Sequence, residues 1–130
     1  MTRNEGQNVD FPLAEVNHLS VTFYTPRGTV RAVRDASITI RRGEVVGLVG
    51  ESGCGKSTVA MALMGYLPGN TEVNGSLLFE NEDITQMTPE KLRSLWGNRI
   101  AMVYQDPATA LNPTMRIGPQ VVEVLQHHLR

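Results

Sequence analysis

An α/β fold is predicted, in which an antiparallel β unit precedes a strand, loop and helix unit. Three observations predict it. Two alternating apolar runs flank a turn marked by Pro26 and Gly28, an unbroken apolar run follows, and a glycine-rich segment then opens a helix.

Residues 1–12 read as a flexible N-terminal tail ending at Pro12. The alternation of "AEVNHLSVTF" suits a half-buried strand, "YTPRGTV" carries the turn, and "VRDASITI" completes an antiparallel pair. Arg42, Gly43 and Glu44 turn the chain into "VVGLV" at residues 45–49, whose continuous apolar character suits a strand buried on both faces of a parallel sheet. From residue 56 to 67, "KSTVAMALMGYL" combines good helix formers with apolar Val59, Leu63 and Tyr66, and stops at Pro68 and Gly69. "GSLLFENEDI" then reads as a strand with an acidic turn. "TPEKLRSLW" has a threonine N-cap, a first-turn proline and a glutamate, so a short helix is expected over residues 89–96. "RIAMVYQDP" predicts a strand over residues 100–104, halted at Asp106 and Pro107, and Val121, Val122 and Leu125 give the last segment helical spacing.

Composition narrows the function. The apolar share of 41% and charged share of 19% are those of a folded soluble chain. A net charge of −1 with scattered Lys and Arg leaves nucleic acid without an electrostatic footprint, so none is expected as a partner. The polar start "MTRNEGQNVD" does not resemble a secretory signal, and no apolar run approaches the ~20 residues needed to cross a bilayer. Cys54, the single cysteine, forms no internal disulfide, which fits a reducing cytoplasm. His18, His127 and His128 lack ligand-like spacing, so no histidine metal site is expected.

Chemistry concentrates in "GESGCGKST". Gly50, Gly55, Lys56 and Ser57 satisfy G-x-x-x-x-G-K-[ST], a phosphate-binding loop. A triphosphate needs many donors at short range, and backbone N–H groups supply them only where side chains leave room; glycines at 50, 53 and 55 clear that space. The following helix start adds unpaired N–H groups and positive dipole. A lysine at that positive end is a local conflict, of a kind that an anion relieves. In this reading Lys56 reaches the β- and γ-phosphates of the triphosphate, and the Ser57 hydroxyl ligates Mg²⁺. The candidate loop is Gly50, Glu51, Ser52, Gly53, Cys54, Gly55, Lys56, Ser57 and Thr58, with Cys54 read as a small residue facing the loop exterior and given no catalytic part.

"VGESGCGKST", and the placing of "VTFYTPRGTVRAVRDASITIRRGEVVGLVG" ahead of it, resemble the Walker A region of ABC-transporter ATPases. "VYQDPATALNPTMRIGPQ" is similar to their Q-loop, here about residues 104–113, and its "LNP" and "IGPQ" continuation resembles the ATP-binding subunits of oligopeptide, dipeptide and nickel importers. The resemblance implies a partial nucleotide-binding domain over residues 13–130, truncated at the start of its helical subdomain, because the family's "LSGGQ" signature and second acidic motif are not among these residues.

It further implies that Gln105 touches Mg²⁺ and the attacking water and moves with the transmembrane partner. Phe23, with Tyr24 as the near alternative, would stack on adenine; as plain residues both also suit strand and turn packing. The implied partners are permease subunits and a second ATP-binding subunit, in a homo- or heterodimer, with the chain peripheral to the cytoplasmic side of the inner (plasma) membrane. The implied activity is transport-coupled ATP hydrolysis in peptide or related uptake, while this chain by itself is expected to bind ATP without turning it over. The rival expectations are an ABC-type ATPase outside transport and an inactive fragment.

Overall fold

The computed structural model describes residues 11–106 and 111–128. Two compact units succeed one another along the chain, divided between Thr88 and Pro89.

The first unit is built on an antiparallel sheet of order β2-β1-β3-β4. Strands β1 (Ala14–Thr25) and β2 (Gly28–Ile40) form the hairpin expected around Pro26. β3 (Thr71–Phe79) pairs with the other edge of β1, and the short β4 (Glu82–Asp83) closes the sheet. Between β3 and β4, Glu80 and Asn81 both have positive φ, 49° and 66°, the two-residue turn whose twist matches a hairpin. A single helical turn, Ile84–Gln86, follows β4 and is capped by the Asp83 carboxylate, which accepts the Thr85 N–H at 2.9 Å.

Alternation along β1 makes the core. Val16, Leu19 and Val21 are fully buried on one face, where the paired residues Leu77 and Val33 join them. Each such side chain contributes about 1.5–3 kcal/mol by leaving water. Helix α1 (Lys56–Leu63) covers this face by burying Val59 and Ala62. It stops four residues short of the expected end. Gly65 takes φ +63°, its N–H bonds to the Ala62 carbonyl at 2.9 Å, and the Tyr66 N–H bonds to the Met61 carbonyl at 2.9 Å, a glycine-terminated helix end.

The ladder is interrupted where β1 carries an extra residue between Val16 and Leu19 and β2 another between Val33 and Ala36. His18 and Asp35, facing each other across the hairpin, both have φ 51°, and Gly75 on β3 has φ +100°. Serine hydroxyls replace the lost ladder bonds: His18 donates its N–H to Ser37 Oγ at 3.0 Å and Asp35 to Ser20 Oγ at 3.1 Å. At Gly75 the neighbouring backbone comes so near that a Cβ would lie 2.5 Å from the Asn17 carbonyl oxygen.

The second unit contains α2 (Pro89–Leu95) and α3 (Ile117–His128), close to the expected spans. Before α3, the Asn112 carboxamide accepts the Thr114 N–H at 3.0 Å. Gln120 reaches back to the same segment, accepting the Asn112 N–H at 2.8 Å and donating to its carbonyl at 3.1 Å. No helix of the described residues is long and apolar enough to cross a membrane.

Two expected strands do not form. Residues 45–49 and 100–104 carry no strand ladder; Val45, Val49 and Val103 are 94–96% exposed, and Ile100 makes only an isolated bridge with Trp96. A strand buried on both faces takes its hydrogen bonds from neighbours and its burial from helices on either side. Among the described residues of its own unit neither segment has such a neighbour, and α1 packs on the antiparallel sheet instead. The expected tail, residues 1–12, lies outside the described residues except for Phe11 and Pro12.

Candidate functional site

Residues 50–58 run from the unpaired segment into α1. The N-cap of α1 is Gly55, with φ 94° and ψ 4°; no side chain caps the helix and no acidic residue lies in its first turn. Helix starts normally recruit Ser, Thr, Asp or Asn to satisfy the first N–H groups. Here those donors face an exposed loop and the positive end of the dipole, which together suit an anion. Gly53, with φ +78°, has open space where a side chain would stand.

Lys56 turns back over the loop. Its ammonium donates to the Gly50 carbonyl at 2.8 Å and the Glu51 carbonyl at 2.6 Å, and lies 3.4 Å from Cys54 Sγ. The Cys54 N–H donates to the Glu51 carbonyl at 3.3 Å, so three residues of the motif close around the Lys56 ammonium. Cys54 is exposed, yet its sulfur lies across the loop against Gly50, where a Cβ would come within 2.6 Å of it. Ser52 and Ser57 are exposed and Thr58 is buried. A set of backbone N–H groups, one ammonium and an exposed hydroxyl is the donor chemistry that a magnesium-bound polyphosphate requires.

The two aromatic candidates part company. Phe23 follows Val21 on the α1 face, half-buried, and with Met61, Tyr66, Leu67 and Pro68 it lines an apolar cavity of about 430 Å³. Tyr24 lies on the other face, exposed, where its hydroxyl donates to the Glu72 carboxylate. That hydrogen bond, and then the carboxylate's charge, hold the Tyr24 hydroxyl above its ordinary pKa; the same hydrogen bond, and then one donated by the Asn74 carboxamide at 3.1 Å, hold Glu72 below its own. Gln105 belongs to the second unit, exposed within residues 101–106, which take no regular structure.

One contact was not legible in the sequence. Val21 pairs with Val33 while Thr22 pairs with Arg31, so Ala32 is an extra residue on β2. Gly55 of the loop rests on it: a Cβ on Gly55 would lie 2.3 Å from the Ala32 carbonyl oxygen and 3.3 Å from Val33 Cγ2. Nothing in the pattern of β2 marks a bulge at Ala32.

The family model described as ABC transporter matches residues 33–127. The chain belongs to the ABC transporter family. The matched span includes the whole glycine-rich loop and Gln105, and it begins after Phe23 and Tyr24. Among relatives in this family, the chain is 50% identical over 116 residues to the oligopeptide transport ATP-binding protein OppD of Salmonella typhimurium, covering 89% of this chain and 35% of that protein. It is 48% identical over 117 residues to the protein of the same name from Haemophilus influenzae, covering 90% and 36%. With the dipeptide transport ATP-binding protein DppD of Bacillus subtilis the identity is 44% over 115 residues, covering 87% and 34%. The chain thus spans about a third of the length of the ABC relatives it matches.

Proposed function

We propose that this chain is the ATP-binding portion of an ABC-type importer ATPase that couples ATP binding and hydrolysis to the uptake of peptides or a related small solute. The observation that carries the reading is the uncapped start of α1, with Lys56 folded over the carbonyls of Gly50 and Glu51. The peptide class follows from the relatives, whose names are those of oligopeptide and dipeptide transport ATP-binding proteins.

In this reading the loop N–H groups and the first turn of α1 hold the phosphates. Lys56 exchanges its two neutral carbonyl partners for phosphate oxygens, which are stronger acceptors because they are charged. Ser57 would hold Mg²⁺ from within the loop, and the family resemblance gives Gln105 a role toward the same ion. Magnesium, when bound, neutralises charge on the phosphate oxygens. Phe23 is the favoured base-stacking residue, because it shares the α1 face of the sheet while Tyr24 is engaged with Glu72 on the other. Transmembrane permease subunits and a second ATP-binding subunit are the proposed partners, and the cytoplasmic face of the membrane is the proposed location.

Hydrolysis needs a group that orients water and donors that stabilise the transferring phosphoryl group, and the loop with Gln105 supplies only part of these. The 130-residue chain therefore binds Mg-ATP without enzymatic turnover. Fluorescent-nucleotide binding, displaced by ATP, is measured alongside phosphate release. Absence of binding refutes the nucleotide reading; turnover near ~1 s⁻¹, an ordinary enzymatic rate, refutes the division of labour.

A further inference from the structure

We infer that the bulge at Ala32 and the adjoining Val33 of β2 form a positioning seat for the phosphate loop, an inference that rests on the nucleotide-binding reading above. Three observations converge. First, Ala32 is the residue left over when Val21 pairs with Val33 and Thr22 with Arg31, so its peptide stands out of step with the β1 ladder. Bulges re-aim the groups of a strand, and they occur beside functional sites. Second, the group beside it is the backbone of Gly55, at a spacing that only glycine permits: any Cβ there would stand 2.3 Å from the Ala32 oxygen and 3.3 Å from the Ala32 carbonyl carbon. Third, Val33 is 7% exposed and provides the apolar part of the seat through Cγ2.

The position of Gly55 gives the contact its consequence. Gly55 holds φ +94° as N-cap of α1, and its carbonyl accepts the Val59 N–H at 3.0 Å, so the same residue ends the loop and starts the helix. The orientation of the peptide after Gly55 aims the N–H groups of the first turn. With no capping side chain to fix that orientation, support comes from beneath. Ala32 and Val33 thus act on the phosphate through Gly55 without touching it.

The test compares two buried valines of the same sheet in the full 130-residue chain. Val33→Ala removes the floor under Gly55, whereas Val16→Ala removes a still more buried side chain, 1% exposed, that pairs with Ile38 and Leu77. Binding of Mg-ATP and of inorganic tripolyphosphate is measured under conditions where urea titration shows each variant folded. Amide exchange of residues 53–57 is followed in parallel. Val33→Ala is expected to weaken both ligands roughly tenfold, the scale of one misaligned charge-assisted hydrogen bond, and to speed exchange in the loop. Val16→Ala lowers the urea midpoint without either effect, and Val33→Ile, which keeps both γ-carbons, restores binding.

Equal effects of the two alanine variants, or none from Val33→Ala, overturn the seat. If Val33→Ala does not fold, Ala32→Gly loosens the bulge at the loss of one methyl and is held to the same outcomes. Wild-type chain that binds neither ligand overturns the nucleotide reading and this inference together. Wild-type binding left intact by the seat variants overturns this inference alone.

Discussion

Replacing Lys56 by alanine separates the two jobs that its ammonium can do. In the structure it donates to two loop carbonyls, at 2.8 Å and 2.6 Å, from a half-exposed position. Water replaces such exposed partners readily, so the loss to folding stability is expected within about 0.5–1 kcal/mol, the range of a solvent-accessible hydrogen bond. Binding differs. The ammonium gives up two neutral acceptors and gains charged ones, and the net gain is about 1.5–3 kcal/mol, or roughly tenfold to a hundredfold in affinity. The assay is fluorescent-nucleotide titration with ATP competition, run beside urea denaturation of the same preparations. The expected outcome is a large fall in affinity with a small shift in urea midpoint. Unchanged affinity in a folded variant refutes the phosphate-loop reasoning. A stability loss as large as the affinity loss refutes the claim that Lys56 serves the ligand rather than the loop.

Phe23→Ala is expected to lower ATP affinity by about 1–3 kcal/mol, on the scale of base stacking. Tyr24→Ala should leave it unchanged, and an effect confined to Tyr24→Ala would reverse the assignment. Gly75→Ala forces a side chain into φ +100° and against the Asn17 carbonyl oxygen. The backbone conformation costs roughly 1–2 kcal/mol and the crowding roughly 1–3 more, read as a lower urea midpoint. The pair of Tyr24 and Glu72 predicts a signed pH dependence. Glu72 is held below its ordinary value of 4.5, so its stabilising share is present above that value and is lost as pH falls through the lowered one. Tyr24 is held above 10.0, so its share is present below that value and is lost as pH rises through the raised one. Tyr24→Phe should flatten both limbs of a stability profile.

Local rules decided a good deal of this protein from sequence. The hairpin around Pro26, the glycine-rich loop ahead of α1, and α2 and α3 were all legible, because proline, capping residues and apolar periodicity act within a few residues of where they stand. The loop was the clearest, since Gly50, Gly55, Lys56 and Ser57 meet a fixed spacing of four residue types directly ahead of a helix. Residues 45–49 and 100–104 show the opposite case: an apolar run states that burial is favourable, but a strand exists only where another strand takes its hydrogen bonds. Gly65, which terminates α1 just beyond Leu63, stands in the sequence as a glycine, but the apolar spacing that continues to Tyr66 masks it as a stop. Strand alternation puts Phe23 and Tyr24 on opposite faces, but tertiary structure alone decided which of them shares the α1 face, and that Gly55 stands on a bulge at Ala32. Both depend on how separate elements pack and pair, and one extra residue in a strand shifts its neighbours to the other face.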